Sequence, residues 1–306
     1  MMDTPVVAEK RVRTFWPRLF RWAGIALAVL LALTALAVLN NNYAFRHPAR
    51  AEFSSQLDHA IDSATQWIVQ HPEVQGNPPL MFMIGDMAEM SGDARLKSVI
   101  AAYLANPRVR VSGHPITWYY AHWVDSTVPL PPIPAAYMTH VGRQNRWFAY
   151  STAPDRVELS ADERADMFSP TKFSWGLRLH LQLFALDIYR HFQGSSPQLD
   201  AVLIPVTDGV ARDAYWDFRV SDSYPQRSAA LLAAGHPELV KKRWMERLLD
   251  RQNPDGSWNY CWYGWCRGIF EFSLTQEDQE HTTVQAAWAL YQLKYRYPDW
   301  IDQNFK

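Results

Sequence analysis

The chain has no excess charge of either sign. Its 30 basic side chains nearly balance 31 acidic ones, for a formal net charge of -1. That balance offers no basic face of the kind nucleic acid requires. No long segment alternates apolar and polar residues, so the main sequence sign of a sheet is missing. Cysteine is nearly absent, with Cys261 and Cys266 alone. Any cross-link within the chain is therefore one bond between these two. What is abundant is apolar and aromatic: 48% of residues are apolar, with 14 each of Trp, Tyr and Phe. This is globular composition, not disorder, and 306 residues suffice for one large core or two modest ones.

The N-terminus stands apart from the rest. Lys10, Arg11, Arg13, Arg18 and Arg21 precede an apolar run from Trp22 to Leu39 that has no charge and no proline. At 1.5 Å per residue such a helix nearly spans a bilayer core of about 30 Å. Trp16 and Trp22 on one side and Tyr43 on the other sit where interfacial aromatics belong. The basic flank should stay in the cytoplasm. The expected organisation is a cytoplasmic basic tail (1–21), a membrane anchor contacting the cell membrane (22–39) and an extracytoplasmic domain (40–306). That domain is periplasmic if the cell is Gram-negative. Ala35-Leu36-Ala37 keeps a cleaved signal peptide as the alternative. A buried soluble helix would carry a polar face, which this run lacks.

Beyond Asn40 the apolar spacing is helical. It predicts helices over 52–70, 80–90 and 94–104, with breaks at Gln75-Gly76-Asn77-Pro78-Pro79 and at Asn106-Pro107. A short aromatic helix follows around 114–123, with His114 and His122 on one side. Residues 125–170 show little periodicity and read as a long loop or small insertion. Further helices are expected over 174–192, 198–205, 223–234, from Pro237 to about Arg251, and from Thr282 or Thr283 to Tyr295. Met90-Ser91-Gly92-Asp93-Ala94 and Ala234-Gly235-His236-Pro237-Glu238 share one pattern: a helix ends on glycine and another starts almost at once. That builds antiparallel hairpins, which must stack to cover their apolar faces, as an open solenoid or a closed α/α ring. The fold class is thus all-α, a toroid or partial toroid of hairpins preceded by one transmembrane helix.

Gln252-Asn253-Pro254-Asp255-Gly256-Ser257-Trp258 resembles the glutamine–tryptophan repeat of terpene cyclases of the squalene–hopene type. The segment from His281 to Leu290 looks like the inner-helix start that follows such a repeat in α/α-toroid proteins. The resemblance covers about 50 residues and implies a fold more than a chemistry. No aspartate-rich protonation motif of the cyclase kind is present. Read physically, Gln252 can bond exposed backbone at a helix end, Gly256 permits a tight turn, and Trp258 can lie over the next hairpin.

The two cysteines lie in Cys261-Trp262-Tyr263-Gly264-Trp265-Cys266. Outside the cytoplasm they are expected to form a disulfide around Gly264. With His281 they also resemble, at a different spacing, the zinc ligands of lanthionine cyclases. Asp255, Cys261 and His281 are the nearest match to those of prenyltransferase β subunits. The expectation names no metal and no cofactor.

Candidate site residues are His281, Tyr224, Arg227, His180 and Asp222, with Asp187 and Glu271 as further polar groups. His281 opens a helix, where the positive end disfavours an imidazolium and leaves a base. Tyr224 and Arg227 share a helix face. By resemblance to toroidal polysaccharide lyases, a tyrosine, a histidine and an arginine would abstract a proton and steady an acidic sugar, whereas carboxylate pairs hydrolyse glycosides in other α/α barrels. Three functions fit. One is an envelope enzyme acting on a glycan or lipid-linked substrate. Another is a non-catalytic assembly factor binding a peptide or protein. The third is a zinc-dependent transferase or cyclase using Cys261, Cys266 and His281.

Overall fold

The first helix, α1 (Val7–Asn42), runs unbroken for 36 residues. From Leu19 to Asn42 it is long and apolar enough to cross a membrane. Phe20, Trp22, Leu30, Leu31 and Leu36 along it are exposed, and burial begins only at Val38. The helical domain therefore covers the last turn of α1 and none of the long apolar stretch before it. The computed structural model describes residues 7–43, 48–106, 116–133, 135–170, 178–217, 222–259 and 277–305, and among these there is no strand. Cys261, Cys266 and Glu271 lie outside the described residues, and so do the disulfide and zinc readings.

The first of the two expected hairpins forms by its local signals. Helices α2 (Arg50–Gln70), α3 (Pro78–Ser91) and α4 (Ala94–Ala105) match the apolar spacing. Pro78 starts α3 where a missing N–H is harmless. Gly92, at φ 73°, ends α3 in the left-handed conformation, and Asp93 caps α4 by accepting from the Arg95 amide at 2.8 Å. Gly235 takes the same left-handed conformation at φ 91°.

The middle of the chain is more helical than its periodicity suggests. After α5 (Ile116–Val124), the expected loop contains α6 (Ala135–Met138), α7 (Arg143–Thr152) and α8 (Ala161–Met167). Polar residues open α7, but Trp147, Phe148 and Tyr150 are buried from it, so tertiary burial overrides its polar local sequence. A capping box between Ser160 and Glu163 starts α8. Helix α9 (Arg178–Gln193) follows. Then α10 (Pro197–Trp216) continues through Pro205, well past its expected end. Leu199, Leu203, Val206, Val210 and Ala214 are buried along it, at about 1.5–3 kcal/mol for each large side chain. That outweighs the one backbone bond Pro205 cannot make. Helix α11 (Ser223–Ala233) is as expected. Pro237 opens a short 3-10 turn, and α12 (Lys242–Asp250) begins after it. Helix α13 (Glu277–Tyr295) starts earlier than Thr282, and α14 (Pro298–Asn304) was not anticipated.

The packing follows a circuit. Helix α3 touches α13, α13 touches α11, α11 touches α9, α9 touches α7, α7 touches α5, and α5 touches α3. Around it, α2 lies on α13, α4 on α3, and α10 on α9 and α11. Five helices of the circuit send an aromatic ring to a common cluster. Phe82 lies 5.2 Å from Trp123, 5.6 Å from Phe184 and 6.1 Å from Trp288, and Phe148 lies 5.5 Å from Phe184. These tilted and edge-to-face contacts add about 0.5–1.5 kcal/mol a pair beyond burial.

The turn at 252–258 ties three helices together. The Gln252 amide donates to the Ala60 carbonyl of α2 at 2.9 Å and to the Gly256 carbonyl at 3.0 Å. Gly256 has φ 91°, and a side chain there would collide with the Ser63 carbonyl. Trp258 is buried, donates from its indole to the Leu248 carbonyl of α12 at 2.8 Å, and donates from its backbone to Thr283 of α13 at 2.9 Å.

Candidate functional site

Three neighbouring helices bring their first two turns together. His180 lies at the start of α9, Asp222 immediately before α11 with Gln226 inside it, and His281 and Gln285 near the start of α13. The positive ends of helices favour negative charge, and Asp222 supplies it. His281 Nδ1 lies 2.5 Å from Asp222 Oδ1. The imidazole side chain is 34% exposed and the carboxylate 9%. Solvent or a ligand can therefore reach the ring while the carboxylate stays inside to orient it.

The far nitrogen, His281 Nε2, lies 2.9 Å from the Gln285 amide. With that amide turned so its oxygen faces the ring, the oxygen accepts from His281 Nε2 and from the Gln226 amide at 3.1 Å. Its NH2 then donates to Asp222 Oδ1 at 3.1 Å. Turned the other way, the Gln285 oxygen would face two oxygens of Asp222 and its NH2 would face the Gln226 NH2, so the first arrangement is the satisfied one.

His180 closes the network from beneath. Its Nε2 meets the Gln226 side-chain oxygen at 2.7 Å, so that nitrogen carries the hydrogen. Its Nδ1 is buried without a partner. Burial, helped by nearby Arg227, lowers its pKa to about 3, so the ring is neutral. It is only 1% exposed and orients Gln226 without meeting a ligand.

The other two expected residues are engaged elsewhere. Arg227 is buried and pairs with Asp217 at 2.6 Å. The Tyr224 hydroxyl donates to Asn41 Oδ1, in the last turn of α1, at 2.9 Å. Burial raises the Tyr224 pKa above its usual value. Asn41 is wholly buried; it also accepts from Arg247 and donates to the Ala214 and Tyr215 carbonyls at 2.9 and 3.2 Å. Asn42 donates to the Tyr215 carbonyl at 2.8 Å. Asp187 pairs with Arg190, and His122 bonds the Val128 carbonyl at 2.7 Å.

Sequence reasoning named both partners of the His281–Asp222 pair but missed Gln226, Gln285, Asp217 and Asn41. The signal for the glutamines was their spacing: Gln226 is four residues from Asp222 and Gln285 four from His281, which places each on its partner's helix face. Elsewhere, a groove of about 260 Å³ between α3, α4 and α5 is lined by Phe82, Gly85, Asp86, Glu89, Lys97 and Trp123, among others. None of the expected site residues lines it. Among the described residues no three metal-ligating side chains converge. Compared with known proteins, the chain matches no family model, no curated protein and no solved structure.

Proposed function

We propose that this protein is a membrane-anchored envelope enzyme of α/α-ring architecture, using His281 for acid–base chemistry on a glycan or lipid-linked substrate. The circuit of contacting helices and the Gln252–Trp258 turn support the ring and its kinship with the toroid superfamily. One observation carries the functional reading. Asp222 holds His281, and two residues later Tyr224 bonds the end of the apolar helix. The pair therefore sits at the same end of α11 as the residue that meets the last turn of α1, the end nearest the head group of a lipid-linked substrate with α1 in a bilayer.

In this reading Asp222 orients the imidazole, His281 takes a proton from the substrate or returns one to it, and Gln285 fixes the ring from its far side. The test uses full-length protein in lipid nanodiscs, offered a lipid-linked oligosaccharide and the same glycan free in solution. Turnover of the lipid-linked form, reduced at least about a hundredfold in His281→Gln, is the expected result. Equal turnover by both proteins, or none by either, overturns the reading.

A further inference from the structure

Where α1 meets the domain, the surface carries side chains that water does not favour. Trp216, the last residue of α10, is 56% exposed, and Tyr43, just past the end of α1, is 53% exposed. Trp216 packs edge-on against Tyr215 with ring centres 5.3 Å apart. The Lys241 ammonium lies 4.2 Å from the Tyr215 ring centre and 5.5 Å from that of Tyr43. Arg243 donates to the Asn40 carbonyl at 3.2 Å, which places a second cation beside the last turn of α1. Aromatics with a polar edge, backed by cations, are the side chains that settle at a lipid head-group layer.

We infer that the end of α10 and the start of α12 form a collar resting on the bilayer around the anchor, with Trp216 entering the head-group region and Lys241 facing lipid phosphate. The occupant is the membrane and not a protein partner, because the surface is continuous with α1. Asn41 and Asn42 bond the carbonyls of Ala214 and Tyr215 directly. Trp216 is the next residue, so it cannot lie far from the point where α1 enters lipid. The inference rests on the reading of α1 as a membrane anchor.

The test places a photoreactive benzoylphenylalanine at one position of the full-length chain, in vesicles of zwitterionic and anionic phospholipid that carry a clickable acyl chain. Three positions are compared. Leu30, exposed in the middle of the apolar run, reports on the anchor itself. Trp216 reports on the collar. Val69, also exposed, is the distant control: the start of α2 stacks through Phe53 on Phe305, beside Lys242, and Val69 lies about 24 Å further along that helix. Lipid labelling at 30 and 216 but not at 69 is expected. Labelling at 30 with none at 216 overturns the collar and leaves the anchor standing. No labelling at 30 removes the anchor and the collar together. Equal labelling at 216 and 69 shows that 216 is merely exposed, and also overturns the inference.

Discussion

Helix α11 joins two polar clusters that differ in one respect. At Asn41 the side-chain partners are buried: Tyr224 and Arg247 donate to one amide oxygen, and the amide nitrogen reaches two carbonyls of α10. At Asp222, two residues before Tyr224, the bonds are as dense but the outermost ring, His281, is one-third exposed. In the first cluster the side chains of Asn41, Tyr224 and Arg247 are all buried. The second is open at one residue, His281. Similar groups thus serve as a fastening in one place and leave a reachable imidazole in the other, and accessibility separates them.

The sharpest way to break this comparison is His281→Gln. It should lower turnover by about a hundredfold or more while changing unfolding free energy by less than about 1 kcal/mol, since a partly exposed ring is replaced by an amide that can still donate to Asp222. A large fall in stability, read by chemical denaturation, would make His281 a fastening too. Next comes Asn41→Leu, which removes the acceptor of the Tyr224 hydroxyl and the side-chain donor to the Ala214 carbonyl. Each buried unpaired group costs about 1–3 kcal/mol, so a loss of at least about 2 kcal/mol is expected. A near-neutral result would mean that α1 is not fastened to the domain.

The third prediction uses His180. Its pKa in the folded protein, about 3, lies below the unfolded value near 6.5. As pH falls below 6.5 the unfolded chain takes up a proton that the folded one refuses, so acid favours unfolding. Relative to His180→Gln, the wild type should lose about 2 kcal/mol between pH 6.5 and pH 5. Parallel stability curves for the two proteins would show that His180 is not buried as described. The smallest effect belongs to Tyr224→Phe. Arg247 still satisfies Asn41 Oδ1, so the cost should be about 1 kcal/mol, with turnover unchanged. A large loss of turnover there would bring Tyr224 back into the chemistry.

Much of the scaffold was legible because apolar spacing is a local signal. Helices α2, α3, α4 and α11 came from it directly, and the left-handed Gly92 marked a hairpin turn. Helix α7 was not legible, because its polar opening hides Trp147 and Phe148 until α9 and α5 are there to cover them. Pro205 misled for the opposite reason: a strong local breaker lost to burial along α10. At the site, His281 and Asp222 could each be named, but they are 59 positions apart, and no spacing rule pairs residues across that distance. Tyr224 and Arg227 were grouped by their shared helix face. In the fold one reaches the end of α1 and the other reaches Asp217, because a residue's partner is chosen by the neighbouring helix and not by its own.

The burial of Asn41 also constrains how the molecule moves. A domain tethered by a slack linker samples every orientation above the surface that holds it. Here the end of α1 is locked among α10, α11 and α12, so domain and helix turn as one rigid body. With α1 in a bilayer, tumbling is suppressed, and what remains is lateral drift and spin about the membrane normal. The exposed edge of His281 then keeps a constant height above the lipid, and its encounters with anything carried in the same leaflet become a search in two dimensions.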